Sequence, residues 1–433
     1  MEEKMYFINN LEELTKAKIQ KIIQLWRGEE LQQLLKYKEY YDGKQDILNK
    51  YVDDETKPCN KIVVNQCYRV VQSYSGYLSG IPISYTSDED ISDILEILRY
   101  NDYHKEDNQL LHDALIYGVA YELNYLDEEA QQRFTYLNPT EVIPIYKNSL
   151  ERPLIAVIRI YSANDVDDIS KNFLDIYTDS EIQHYETDMS YSTMKLLSVE
   201  PHYYGMVPVV DFELNADRTS IFAQIMDLQD AYNKLLSANV DDYEAFVDSY
   251  MYLKGLTADE EALKQMKINR ILLLDEDSDA GYITKPDNSD GVKNLLDKIE
   301  DRIERIAQAP DFNDESFGNA SGISIKYKLL GMENICSNIE ANMRQALQKR
   351  LELICAIQKL TATEFVWRDV NIVFTRNIPV NEAEQAELVN KLRGLVSDKT
   401  LLSILQFIPD VDAEMELLEA QNSQSLYSFG GEE

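Results

Sequence analysis

Three features of the sequence predict an α+β chain that is mainly helical. Apolar residues recur every three or four positions over several long runs, which is the spacing of helices with one buried stripe. Between the early and middle runs lie short segments rich in Tyr, Val and Ile, bounded by Asn, Pro, Gly and Ser, the mark of strands and turns. The 433 residues, 44% hydrophobic, suffice for two or more structural units.

Up to about residue 55 the pattern is helical, through Ile19, Ile22, Ile23, Leu25 and Trp26 and then Leu31, Leu34 and Leu35. Tyr41, Asp42 and Gly43 break it. In the mixed region that follows, to about residue 217, Ile62-Val63-Val64 and Ile83-Ser84-Tyr85 read as short strands, and residues 90–100 and 105–117 as helices. After Gly118 the reading turns to strands at 121–125, 142–146 and 154–161. Asn138-Pro139 and Asn148-Ser149 supply turns, so an antiparallel sheet is expected.

Residues 220–254 carry Ile221, Ile225, Leu228, Ala231, Leu235 and Ala238 at helical steps. A helix of about 35 residues would span about 50 Å, and Gly255 ends it. Residues 256–289 form a compact insert, with strands expected at 270–274 and 281–284 around an acidic turn. A second helix follows at 291–309, striped by Val292, Leu295, Leu296, Ile299, Ile303 and Ile306 and stopped by Pro310. The stretch PDFNDESFGNASG, 310–322, has loop composition. A third long helix is expected at 323–360, a short strand at 371–374, and two helices after Pro379 with a break at 407–410. The tail QNSQSLYSFGGEE is expected to be disordered. A plain helical hairpin would also contain long helices. The strands inserted at the tip of the pair argue against it.

The formal charge is -35. A protein that grips nucleic acid through phosphates needs a basic face, so DNA, if it meets this chain, must pass without sticking; solubility alone would also account for the charge. Tyr is abundant, at 29, which suits interfaces and ordinary sheet packing alike. Cys59, Cys67, Cys336 and Cys355 are scattered without a CxxC pair, against a zinc site. The first residues lack the apolar segment of a signal peptide, no run reaches the ~20 apolar residues of a membrane span, and a reducing cytoplasm is expected.

Catalytic motifs are absent. There is no GxxxxGK[ST], GxGxxG, GxSxG or HExxH. His104 and His112 stand too far apart for a shared metal, and His184 and His202 read as structural. Asp275, Asp277 and Asp279 begin like a calcium loop, but Ala280 and Pro286 occupy its glycine and glutamate positions, so the pattern fails. Asp410, Asp412 and Glu414 have no distinguishing spacing. Neither a metal nor a cofactor is expected.

Four blocks resemble the portal proteins of tailed phages, of the siphovirus type of Gram-positive bacteria. The first comprises Tyr40-Tyr41-Asp42-Gly43, Lys57-Pro58-Cys59-Asn60-Lys61-Ile62-Val63-Val64-Asn65 and Gly76-Tyr77-Leu78-Ser79-Gly80-Ile81-Pro82. The second is His202-Tyr203-Tyr204-Gly205-Met206-Val207-Pro208-Val209-Val210. The third is Asp227-Leu228-Gln229-Asp230-Ala231-Tyr232-Asn233 with Tyr243-Glu244-Ala245-Phe246 and Lys254-Gly255. The fourth is Pro310-Asp311-Phe312, Phe317-Gly318-Asn319-Ala320-Ser321-Gly322 and Lys326-Tyr327-Lys328. In order they cover about residues 35–420. Cys59, Ser79, Ile323 and Ile325 depart from the family's usual residues.

The resemblance implies the portal fold: an α/β wing at 1–217, a long stem helix at 218–255, a small stranded clip at 256–289, a second stem helix at 290–310, a tunnel loop at 311–322, a long helix and returning wing strand at 323–378, and a small helical crown with tail at 379–433. It implies a non-enzymatic ring of about twelve or, in isolation, about thirteen copies, sited at a capsid vertex of the virion after assembly in the host bacterial cytoplasm. Double-stranded DNA would pass through it without sequence specificity. The terminase large subunit, head-to-tail adaptor, major capsid protein and scaffolding protein would be its partners, with no membrane. Asn313, Asp314, Ser316, Phe317, Gly318, Asn319, Ser321, Gly322, Lys326 and Lys328 would face DNA; Asp275, Glu276, Asp277, Asp279 and Tyr282 would bind the clip's partners. For Lys326 and Lys328, intersubunit ion pairs are an equal alternative. Two other readings compete, an acidic metal-dependent hydrolase and a protein-only adaptor or scaffold. Neither requires the order helix, stranded insert, helix, Gly/Asn loop, helix.

Overall fold

The first apolar runs fold as two helices separated by a single residue. In the computed structural model, α1 (Lys16–Gly28) is capped by the Thr15 side chain, which accepts from the Lys18 N–H, and it buries Ile19, Ile22, Ile23 and Trp26. Helix α2 (Glu30–Tyr41) follows after Glu29. The break foreseen at Gly43 is a left-handed turn, φ 78°. The structure describes residues 5–54, 57–164, 170–247, 251–254, 264, 279–282, 289–310, 322–361, 366–378 and 382–405, with positions 411, 414, 415, 417 and 418. Those residues are mixed α and β and about half helical.

Strand β1 (Tyr6–Ile8) precedes the helices. After α2 come α3 (Gln66–Ser79), capped by Asn65, then β2 (Ser84–Thr86), α4 (Ser92–Tyr100) and α5 (Tyr103–Tyr117). Gly118 ends α5 at φ 84°, where an added Cβ would lie 2.5 Å from the backbone of Arg218 and Thr219. Only glycine fits that position. Eight strands follow: β3 (Val119–Leu126), β4 (Gln132–Leu137), β5 (Val142–Lys147), β6 (Leu154–Asn164), β7 (Ser170–Tyr177), β8 (Glu181–Thr187), β9 (Met194–Pro201) and β10 (Val209–Glu213).

They form two sheets, one of six strands in the order β1-β5-β6-β7-β8-β9 and one of three, β10-β3-β4. The antiparallel expectation holds for every pair except β1 with β5, which is parallel. One face of the large sheet buries Ile143, Ile145, Ile158, Leu174 and Ile176 against Ile19, Ile22, Ile23 and Trp26 of α1. The inward period-2 residues of the strands thus meet the period-3.6 stripe of the helix.

Helix α6 (Met226–Val247) is shorter than the 220–254 expected, and β11 (Met251–Lys254) replaces its last turn. Met251, Tyr252 and Leu253 pair with Tyr282, Gly281 and Ala280 of β12 (Asp279–Tyr282), a ladder that a helix cannot offer. The strand expected at 270–274 lies outside the described residues. Helices α7 (Ser289–Ala307) and α8 (Gly322–Gln358) match the second and third long helices. Strand β13 (Asn371–Val373) returns to pair antiparallel with β2. Helices α9 (Glu382–Leu392) and α10 (Asp398–Ile404) are separated at 393–397, where Gly394 is left-handed at φ 84° and Ser397 caps α10; the break expected at 407–410 lies outside the described residues. The chain divides into two units, Met1–Asp311 with Gly331–Arg376, and Phe312–Leu330 with Asn377–Glu433.

Candidate assembly and channel surfaces

Ile62-Val63-Val64 is extended, yet it belongs to no strand. Its partner is the polar stripe of α6. The N–H groups of Asn60, Ile62, Val64 and Gln66 donate in turn to Asp241 Oδ1 (2.7 Å), Ser237 Oγ (2.9 Å), Asn233 Oδ1 (3.0 Å) and Gln229 Oε1 (3.0 Å). Gln229 Nε2 donates back to the Val64 carbonyl at 2.7 Å. The geometry follows from two periods. Alternate residues of an extended chain advance about 6.7 Å, and residues four apart on a helix advance about 6 Å, so the rungs stay in step over four bonds. Gln229, Asn233 and Ser237 are fully buried, while Leu228, Leu235 and Leu236 of the same helix are only half-buried. Lys50 closes the lower end through an ion pair with Asp241. This polar stripe at four-residue spacing was visible in the sequence but was masked by the apolar residues beside it.

Helix α8 is fastened by buried charge. Arg350, 1% exposed, donates to both Glu122 oxygens, at 3.0 Å from Nε, and to Asp107 Oδ1 at 2.6 Å, and it lies over the Phe134 ring. Burial works against the guanidinium charge, but Asp107 and Glu122 outweigh it and hold the pKa well above its ordinary value. Nearly five turns earlier on the same helix, Glu333 takes a two-nitrogen contact from Arg376 (2.9–3.1 Å) and accepts from Tyr77 Oη at 2.7 Å; Arg376 also reaches Glu340 at 2.8 Å. On the sheet side, Arg218 donates to Tyr121 Oη, Tyr146 Oη and Glu213 Oε1. No spacing rule pairs Arg350 with residues more than 220 positions away, so sequence reasoning missed all three clusters.

Of the residues expected to face DNA, Gly322 opens α8 and Lys326 and Lys328 lie exposed on its first turns, with Tyr327 75% exposed between them. Asn313, Asp314, Ser316, Phe317, Gly318, Asn319 and Ser321 lie outside the described residues. Of the residues expected to bind clip partners, Asp279 and Tyr282 are the ends of β12, opposite Lys254 and Met251. Asp275, Glu276 and Asp277 lie outside the described residues.

A cleft of about 640 Å³ is lined by Tyr146, Asp211 and Glu213 together with Asn342, Lys349 and Glu352 of α8. Its polar groups are engaged with one another: Tyr146 Oη donates to Asp211 at 2.9 Å and Lys349 pairs with Glu352 at 2.8 Å. The four histidines have neighbours of structural type: Asn108 beside His104, Tyr41 beside His112, Asp175 beside His184 and the Thr178 carbonyl beside His202. Among the described residues no group of three His, Cys, Asp or Glu could hold a metal, and no helix is long and apolar enough to cross a membrane.

Helix α6 is thus tied to the segment 60–66 by a polar ladder, and α8 to α5 and β3 by the buried ion pairs of Arg350. The family model described as "Phage portal protein, SPP1 Gp6-like" matches residues 21–426, and the chain belongs to that family of phage portal proteins. It is 26% identical over 431 residues to the portal protein of Clostridium phage phiCD119, covering 91% of this chain and 94% of the relative. It is 23% identical over 424 residues to the portal protein of Bacillus phage SPP1, covering 90% of this chain and 84% of the relative. Its function is that of a phage portal, a component of the virion built for structure.

Proposed function

We propose that copies of this chain close into a ring of about twelve subunits that serves as the DNA conduit at one capsid vertex. The observation that carries this reading is the chain order: α6 leads into β11, β12 leads back into α7, and α8 follows, inside a family match spanning most of the sequence. In this reading the region to about 217 is the wing, α6 and α7 form the stem, and 256–289, of which β12 is described, is the clip. Residues 311–322 are the tunnel loop, 323–378 are the long helix with its returning strand, and 379–433 are a small crown.

The physics supports a conduit. The charge of -35 per copy repels phosphates, so the duplex slides without being trapped. Lys326 and Lys328 would supply sparse basic contacts to phosphates without reading bases. Asp279 and Tyr282, with Asp275, Glu276 and Asp277, would meet the terminase large subunit during packaging and the head-to-tail adaptor afterwards. The sequence carries no nucleotide cradle of the Walker type, which fits a motor that sits on the partner.

Negative-stain electron microscopy of the purified protein, with mass determination in parallel, tests the reading. Rings of about a dozen copies with a central hole are expected. Monomers or dimers at every salt and protein concentration would overturn it.

A further inference from the structure

The exposed surface of α7 carries two edges of opposite charge. With about 100° between successive residues, Leu295, Lys298, Arg302 and Ile306 fall on one edge, and Asp290, Asp297 and Asp301 on another. All of them are exposed, Leu295 at 48% and Ile306 at 42%. Both edges lie apart from the buried face of the helix, which holds Ile303 and Ala307. They also lie apart from the flank where Glu300 accepts from Gln66 and Glu304 approaches Arg69. Among the described residues, Lys298, Arg302 and Asp297 have no ionic partner in their own chain, and Asp301 holds Arg305 at 2.8 Å. Lys293 stands one turn before Asp297, and that edge stays net negative. The arc between the edges holds Asn294 and Arg305, both exposed. The middles of the two edges are about 125° apart around the helix.

We propose that the edge bearing Lys298 and Arg302 in one copy docks on the edge bearing Asp297 and Asp301 in the next, so that neighbouring α7 helices stand side by side in a repeating heterologous contact. The proposal rests on the ring reading above. Three features point to a second copy as the occupant. The charges of the two edges are complementary, and those of Lys298, Arg302 and Asp297 are unpaired within the chain. Closed cyclic symmetry holds equivalent residues at one height. Along a helix that follows the ring axis, Lys298 then stands one residue from Asp297 of its neighbour, and Arg302 one residue from Asp301, a step of about 1.5 Å. In a ring of about twelve copies the directions to the two neighbours open at about 150°, close to the separation of the two edges, and the long stems of Lys and Arg cover the difference. A phosphate backbone would suit Lys298 and Arg302 but not Leu295 and Ile306, which share their edge and gain from cover by protein. Exposed pairs of this kind fix which edge meets which more than they add affinity.

The test mixes two variants of the full chain. In the first, Lys298→Glu with Arg302→Glu makes both edges acidic. In the second, Asp297→Lys with Asp301→Lys makes both basic. The substituted positions are exposed, so both variants should fold, which circular dichroism and thermal unfolding check. In sedimentation velocity at about 0.1 M salt, each variant alone should need about tenfold more protein to assemble than the parent. An equimolar mixture should recover assembly, because the two kinds can alternate around the ring. The second variant is the sharper of the two. It is less negative than the parent, so assembly governed by overall repulsion alone would improve. If it assembles as readily as the parent, and the mixture no better than its components, the contact is overturned and the ring reading stands. In a second arm, an Arg302→Cys chain and an Asp301→Cys chain are mixed and oxidised, each in a Cys59→Ser background because Cys59 is exposed. A disulfide joining the two kinds is expected, since the proposed contact brings these positions within the Cα separation of about 6 Å that the bond requires. Parent rings with unlinked mixed chains would count against the contact. Linked heterodimers from a parent that never forms rings would uphold the contact and overturn the ring.

Discussion

Arg350 shows how one residue can decide whether a long helix is anchored. Its guanidinium is the only cation described against Glu122 and Asp107, both 1% exposed. Replacing it with Met would leave two buried carboxylates uncompensated, a change that costs about 3–5 kcal/mol. Arg350→Met should therefore lower the denaturant midpoint strongly, and Arg350→Lys should lower it too, because an ammonium cannot reproduce the forked contact. A midpoint within error of the parent would show that Glu122 and Asp107 are accommodated without it. Asp113 makes a second case. Burial pushes its carboxyl up to about 7, opposed by the hydrogen bond from Gln109. A raised folded-state pKa in an acid favours the protonated form in the folded state. The associated stability is fully present below about pH 4 and is lost as pH rises through 7. Asp113→Asn keeps an acceptor for Gln109 and removes the titration. It should unfold at a higher temperature than the parent at pH 8, with the gap, at most about 4 kcal/mol, closing toward pH 4. A gap independent of pH would assign the effect to packing.

At the scale of elements, the ladder between residues 60–66 and α6 is the least expected feature. It explains both what the sequence disclosed and what it hid. Helical runs were legible because a single apolar stripe fixes their period, as in α1 and α7. The strands β3, β5 and β6 were legible because Asn, Pro and Gly punctuate them. Ile62-Val63-Val64 has the composition of a strand and the extended backbone of one, but its hydrogen bonds go to side chains of α6, and composition does not disclose a partner. The end of α6 was misjudged for a similar reason: Met251, Tyr252 and Leu253 continue an apolar pattern that suits helix or strand equally, and only pairing with β12 decides. Lys326, Lys328, Asp279 and Tyr282 were singled out through the family resemblance, and their roles rest on the proposed function. The ladder also predicts behaviour. Asn233 accepts from Val64 N–H and Gln229 Nε2 and donates to Gln45 Oε1. Asn233→Ala strands these buried partners and should cost about 1–3 kcal/mol. In hydrogen exchange, Val64 and its neighbours Ile62 and Gln66 should lose protection before the sheet amides do. Loss of protection spread evenly over the six-stranded sheet would mean that the ladder has no independent stability.

For the whole molecule, charge sets the conditions of assembly. Each copy carries -35, and bringing copies side by side multiplies the repulsion between them. The repulsion acts over the screening length, about 10 Å at 0.1 M salt and about 3 Å at 1 M. Specific ion pairs across an exposed interface contribute only about 0–1 kcal/mol each and are weakened by the same salt. Apolar contacts are not. The net effect of salt is therefore set by the uniform negative field, and association should strengthen as salt rises. Sedimentation velocity of the parent chain at fixed concentration should show a growing ring fraction between 0.1 and 1 M NaCl. The same field should prevent retention of duplex DNA, so an electrophoretic shift assay at 0.15 M salt should show free DNA alongside intact rings. A ring fraction that falls with salt would instead place attractive ion pairs in control of assembly.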